Sequence, residues 1–131
     1  MSTPRYRPRD YAFDDFTFGS SEALHWKTPA YPGEAVLIRA AQLQHLYATR
    51  IRRAAILRFG SVRAYAAAVG DSVNRVSRVL RGTAVMRLED IARAESVLGD
   101  ITGVELKVLP PPTTWVGTNS LTRLDGRAAP G

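Results

Sequence analysis

The sequence predicts a mainly α-helical bundle with an N-terminal helical extension and room for one short two-stranded β element. Three observations predict it. Between Ser61 and Gly82, two short segments with helical periodicity flank a glycine. An apolar periodic stretch with Leu88 and Ile91 follows and ends at Leu98-Gly99. Ahead of both, Glu34 to Arg58 carries apolar residues at spacings of three and four, enough for a continuous helix of about 37 Å.

In chain order, residues 1–10 read as a flexible basic arm, with Arg5, Arg7 and Arg9 between Pro4 and Pro8. Residues 11–33 form an aromatic-rich segment containing Tyr11, Phe13, Phe16, Phe18, Trp26 and Tyr31, interrupted by Gly19-Ser20-Ser21. It either wraps onto the helices as a satellite core or stands as an exposed patch that holds a protein partner through residues 11–31. Residues 34–101 form the helical domain. After the Pro32-Gly33 break, its first helix carries the stripe Val36, Ala40, Leu43, Tyr47, Ile51 and Ala54. The part from Ala35 to Gln44 exceeds what a small core needs. It must therefore cover its apolar side with the aromatic segment or with a second subunit, the latter preferred. In residues 102–131, Val104 to Val108 alternates like a strand that could pair with Phe16-Thr17-Phe18 or with its own copy in a dimer. Pro110-Pro111-Pro112 stops it, and a flexible tail follows.

The helical pair is the most specific feature. Ser61 is a good N-cap, and Val62, Tyr65, Ala66 and Val69 lie on one face of the first short helix. Gly70 stops that helix and tolerates a left-handed turn. Asp71 or Ser72 caps the second helix, whose core contacts are Val76 and Val79-Leu80. Its outward row is Ser72, Asn74, Arg75, Ser77 and Arg78, with Val73 at the leading edge. Asn and Arg are the side chains that make bidentate contacts with adenine and guanine edges, and a valine can meet a thymine methyl.

These spacings resemble the helix-turn-helix domain of the phage-repressor (lambda repressor/Cro) family. Ala66 and Gly70 match its small residue followed four positions later by glycine; Val76 matches its buried aliphatic and Gly82 its closing glycine. Leu88, Ile91, Leu98 and Gly99 fit its fourth helix, and Ile51-Arg52-Arg53-Ala54 resembles the end of its first. The resemblance covers roughly residues 46 to 99. Leu80 and Val62 depart from it, since many members carry glutamate and glutamine there. The resemblance implies a lambda-repressor-like bundle and a small sequence-specific regulator of double-stranded DNA, a homodimeric repressor of phage or bacterial type. Residues 72–80 are then expected in the major groove, with Ser72, Val73, Asn74, Arg75 and Arg78 reading bases. Arg52, Arg53, Arg58, Ser61, Arg63, Ser77 and Arg81 are expected on phosphates, which position without specifying.

Charge agrees with that expectation. The chain carries a formal +6 over 131 residues, with 18 basic and 12 acidic side chains. From Arg50 to Arg81, the arginines 50, 52, 53, 58, 63, 75, 78 and 81 face a single acid, Asp71. Such a single-sign field attracts phosphate. Other function classes lack a motif. The chain has no cysteine, so thiolate metal sites and disulfides are excluded. His25 and His45 lack metal-type spacing and read as ordinary surface or helix residues. Asp14-Asp15 reads as a turn cap, and no catalytic constellation is present. Neither an enzyme nor a cofactor is expected. No run of membrane-spanning length and no signal-type apolar core is seen, so no membrane contact and a cytoplasmic, nucleoid-associated location are expected. Two alternatives remain from the sequence: an architectural or replication-associated DNA protein, and an antitoxin or adaptor that binds a protein partner.

Overall fold

A computed structural model of the chain describes residues 6–21 and 23–104. It is a helical bundle of α1 (Pro32–Phe59), α2 (Val62–Val69), α3 (Val73–Leu80) and α4 (Leu88–Leu98), preceded by two 3-10 turns at Pro8–Tyr11 and Asp15–Thr17. Residues 1–5 of the expected arm and 105–108 of the expected strand, with the tail to 131, lie outside the described residues.

Pro32 occupies the first turn of α1, where its missing N–H costs nothing and its fixed φ suits a helix start. Pro32-Gly33 is therefore the opening of the helix and not a break before it. The 28 residues of α1 run on to Gly60, whose φ of 88° ends the helix. The last half of α1 packs with α2, α3 and α4 around Ala48, Ile51, Ala55, Tyr65, Ala66, Val76, Leu80, Ala94 and Ile101. Small residues dominate the α1 line, so the short helices approach it closely. Leu80 is 1% exposed, which accounts for an aliphatic at that position.

The phase of α1 differs from the expected stripe in its first half. Val36, Ala40 and Leu43 are exposed, whereas Ile38, Ala41, Gln44, His45, Ala48 and Thr49 are buried. Hydropathy misplaced the stripe because the buried line includes three polar side chains, each with hydrogen bonds that permit burial. Gln44 is the most connected. Its Nε2 donates to the carbonyls of Val79 at 2.9 Å and Ala84 at 2.8 Å, and its Oε1 accepts from the Met86 amide at 2.8 Å. Thr49 donates back to the His45 carbonyl at 2.8 Å.

His45 is a helix residue, one of the two readings the sequence left open, and it is buried in the core. Its Nδ1 accepts from the Gly19 amide at 2.9 Å, and its ring meets Phe18 and Trp26 edge-on at 5.2 and 5.8 Å. Around it the aromatic segment folds back as the satellite core of Ala12, Phe18 and Leu24, against Trp26. The aromatic segment thus covers the His45 side of α1, while Val36, Ala40 and Leu43 on the expected stripe stay exposed. Residues 6–10 of the basic arm are seated too: Pro8 is buried, and the Tyr6 hydroxyl donates to the Leu37 carbonyl at 2.9 Å.

Among the described residues the β pairing is an isolated antiparallel bridge that the sequence did not suggest, Ala12 with Trp26, held by Phe13 N–H to His25 O at 2.8 Å and Lys27 N–H to Tyr11 O at 2.9 Å. Phe16-Thr17-Phe18 offers no strand, because Asp15–Thr17 is a 3-10 turn. Asp14 ties the same loop through the amide and ring of His25, at 2.9 and 2.8 Å. Two glycines let this layer close on α3. A side chain at Gly19 would collide with the Leu80 carbonyl, and one at Gly82 would stand 2.7 Å from the Phe18 ring.

Replacing Gln44 by Ala removes a hydrogen bond from the Val79 and Ala84 carbonyls and from the Met86 amide, although Val79 keeps the Gly82 amide at 3.2 Å. The expected loss is about 2–4 kcal/mol of folding free energy, measured by urea denaturation. A loss under about 0.5 kcal/mol, the range of a neutral surface change, would show that the amide is not a structural tie.

Candidate nucleic-acid interface

α2 and α3 are joined by Gly70-Asp71-Ser72. Gly70 adopts φ 73° with open space around it, so its requirement is conformational. The Asp71 amide returns to the Ala66 carbonyl at 3.0 Å and closes the end of α2. Each helix starts on a serine: Ser61 Oγ accepts from the Ala64 amide at 3.0 Å and Ser72 Oγ from the Arg75 amide at 3.1 Å. Thus Ser72 takes the capping role left open between it and Asp71.

At a helical pitch of 100° per residue, Asn74, Arg78 and Arg81 share one face of α3, with Ser77 beside them. Asn74, Arg78 and Arg81 are exposed, and Ser77 is half-buried. The opposite side carries the buried Val76, Val79 and Leu80. Val73 belongs with that buried side. It is half-buried against the core and does not form the free apolar edge expected of a base reader.

Arg75 is the main correction. Its Nη1 donates to Asp71 Oδ2 at 2.9 Å and to Asp90 Oδ1 at 2.7 Å, while Nη2 reaches Asp90 Oδ2 at 3.1 Å. The side chain thus ties the start of α3 to the first turn of α4. A two-pronged guanidinium–carboxylate contact of this kind is strong and geometrically specific. Arg75 lies a quarter turn from Asn74, on the edge of α3 next to the core. It is a strut and not a base reader.

Asp90 is the partner side of that strut, with only 9% of its side chain exposed. Burial pushes its carboxyl upward. The Arg75 hydrogen bonds, the Arg87 amide at 2.8 Å and the arginine charges outweigh burial and hold it below the ordinary 3.8. In turn the hydrogen bonds to Asp90, with the charges of Asp90 and Asp71, raise the Arg75 guanidinium above its ordinary value against burial. Arg93 approaches both acids, at 3.4 Å from Asp90 and 3.9 Å from Asp71.

Among the expected phosphate contacts, Arg52 is half-buried and engaged within the molecule. Its Nε–H donates to the Gly19 carbonyl at 3.1 Å, and burial together with the nearby Arg81 charge lowers its pKa. It pins the aromatic segment to α1. Arg53, Arg58, Ser61, Arg63 and Arg81 are all exposed. Among the described residues, Arg58, Arg63, Arg78 and Arg81 form no ion pair. Leu88, at the start of α4, is exposed, and Ala94 is the buried residue of that helix.

Gln44 and Asp90 position this surface, yet neither stood out in the sequence. For Arg75 a signal was available, because Asp71 stands four residues before it, the spacing of a helical ion pair. No local spacing points to Asp90 or to Gln44. Among the described residues, no group of His, Asp or Glu could hold a metal ion, and no helix is long and apolar enough to cross a membrane. Comparison with protein families, with curated proteins and with solved structures finds no match.

The depressed Asp90 carboxyl gives stability that is present above its ordinary range and is lost as pH falls through the lower folded value. Asp90→Asn is expected to cost about 1–3 kcal/mol at pH 7 and to shrink the fall in melting temperature below about pH 4. Thermal melts from acid to neutral pH check both. An unchanged acid profile would remove Asp90 from the account.

Proposed function

We propose that this chain is a sequence-specific double-stranded DNA-binding regulator of the phage-repressor type, and that it lays α3 in the major groove. The observation that carries this reading is the row Asn74, Arg78 and Arg81. It is open to solvent on a helix whose remaining sides are closed by the core and by the Arg75–Asp90 strut. The order of the short helices, the Gly70 turn and the lack of any acid between Ala35 and Gly70 support it.

The roles divide by chemistry. The Asn74 carboxamide offers a donor and an acceptor together, which matches adenine; the Arg78 guanidinium offers parallel donors, which match guanine. Arg53, Arg58, Arg63 and Arg81 supply phosphate contacts that hold the helix in register. Ser61 and Ser72 lend their oxygens to the helix ends, and each retains a hydroxyl proton for a phosphate oxygen. Ser77, partly sheltered, serves at the margin. Binding as a dimer, the protein would meet two half-sites about 34 Å apart and repress by occupying a promoter. Such a regulator works on the bacterial or phage chromosome, in the cytoplasm.

Selection of the full chain on random duplexes is expected to enrich one motif. Asn74→Ala or Arg78→Ala should each cost about 1–3 kcal/mol and relax preference at one base position. Arg63→Ala or Arg81→Ala should weaken all sequences alike and reduce the salt slope by about one. Failure to enrich any motif, with affinity indifferent to Asn74 and Arg78, sinks the proposal.

A further inference from the structure

One helix face takes part neither in the core nor in the proposed DNA-contacting row. Across α1 from the buried line Ala41, Ala48 and Ala55, the residues Val36, Arg39, Leu43, Leu46 and Arg50 recur at spacings of three and four, with Leu57 one heptad further on. This is the spacing of a two-position helical seam, sustained for about 32 Å. The apolar members are uncovered: Val36 is 69% exposed, Leu43 38%, Leu46 41% and Leu57 90%.

Charge selects what covers it. No acidic residue stands between Ala35 and Gly70, so a second copy laid along this seam would set arginine against arginine. Arg39 and Arg50 bond to neutral oxygens, Gln42 Oε1 at 3.3 Å and the Ile101 carbonyl at 2.8 Å, and among the described residues neither forms an ion pair. An anionic bilayer would attract the arginines but takes a wide, continuous apolar face. Here arginine interrupts the leucines along a narrow line.

We infer that this face of α1 docks an acidic amphipathic helix. Its leucine-type side chains meet Leu43 and Leu46, and its carboxylates meet Arg39 and Arg50. The seam lies on the side of α1 turned away from Gln44 and α3, so the partner and DNA occupy opposite sides of the molecule. The docking therefore does not depend on the DNA-binding reading.

The test titrates the full chain, at an ionic strength of about 0.15 M, with a synthetic helical peptide of about 28 residues. The peptide carries Leu and Glu at its seam positions; a second peptide has Lys in place of each Glu. Saturable one-to-one binding of the Glu peptide is expected. Leu43→Asp or Leu46→Asp should weaken it about tenfold with the far-UV circular dichroism unchanged. Arg39→Glu should move the preference toward the Lys peptide by about fivefold. Asn74→Ala and Arg78→Ala should leave peptide binding intact, so loss of DNA recognition and loss of docking are read separately. Equal affinity for the two peptides, or none for either, overturns the proposal. So does a dimer that Leu43→Asp dissolves, or binding to phosphatidylglycerol vesicles that Leu43→Asp abolishes.

Discussion

The placement of α3 rests on one buried carboxamide. Gln44 spends both donors on carbonyls at the end of α3 and in the loop after it, and its oxygen on the Met86 amide at the approach to α4. The Val79 carbonyl also accepts from the Gly82 amide at 3.2 Å, but the half-buried Ala84 carbonyl and Met86 amide lie in a tight loop that has no ladder to join. The amide therefore fixes where α3 ends and how the chain leaves it. A fully satisfied internal polar group specifies one arrangement more sharply than an apolar contact, which tolerates sliding.

A second tie acts at the other end of the same helix. Arg75 joins the start of α3 to Asp71 and Asp90, so α3 is held at its first turn by charge and at its last by an amide. Between the two ties, Val76 and Leu80 fill the core. The solvent side is thereby left to Asn74, Arg78 and Arg81, with no structural duty for their side chains. The arginines of this region fall into two populations. Arg52 and Arg75 are fasteners engaged within the molecule; Arg58, Arg63, Arg78 and Arg81 are exposed cations. Composition alone counts them together.

Much of the helical pair was legible because its determinants are local. Ser61 and Ser72 cap, Gly70 turns left-handed, and Val76, Val79 and Leu80 fall on one side, each within a few residues of its cause. The phase of α1 was not legible in its first half, where Gln44, His45 and Thr49 are buried among alanines and Val36 and Leu43 are outside. A polar residue goes inside when a distant backbone group meets it, and that group has no signature in the neighbouring sequence. The same reasoning covers the candidate interface. Arg52 was read as a phosphate contact because its partner, the Gly19 carbonyl, comes from a loop 33 residues away. Arg75 looked outward because Asp90, 15 residues on, enters only when α4 folds back. Gly82 matched a motif, but the reason for it is the Phe18 ring pressed against its α-carbon.

The layer formed by residues 6–30 also determines how the molecule can be divided. A cut at Pro32 looks natural, since a long helix begins there. It would strip Phe18 and Trp26 from His45, remove the acceptor that holds Arg52, and open the flank of Gly82. A fragment begun at Pro32 is therefore expected to lose these contacts and to be less stable than one that keeps the aromatic segment.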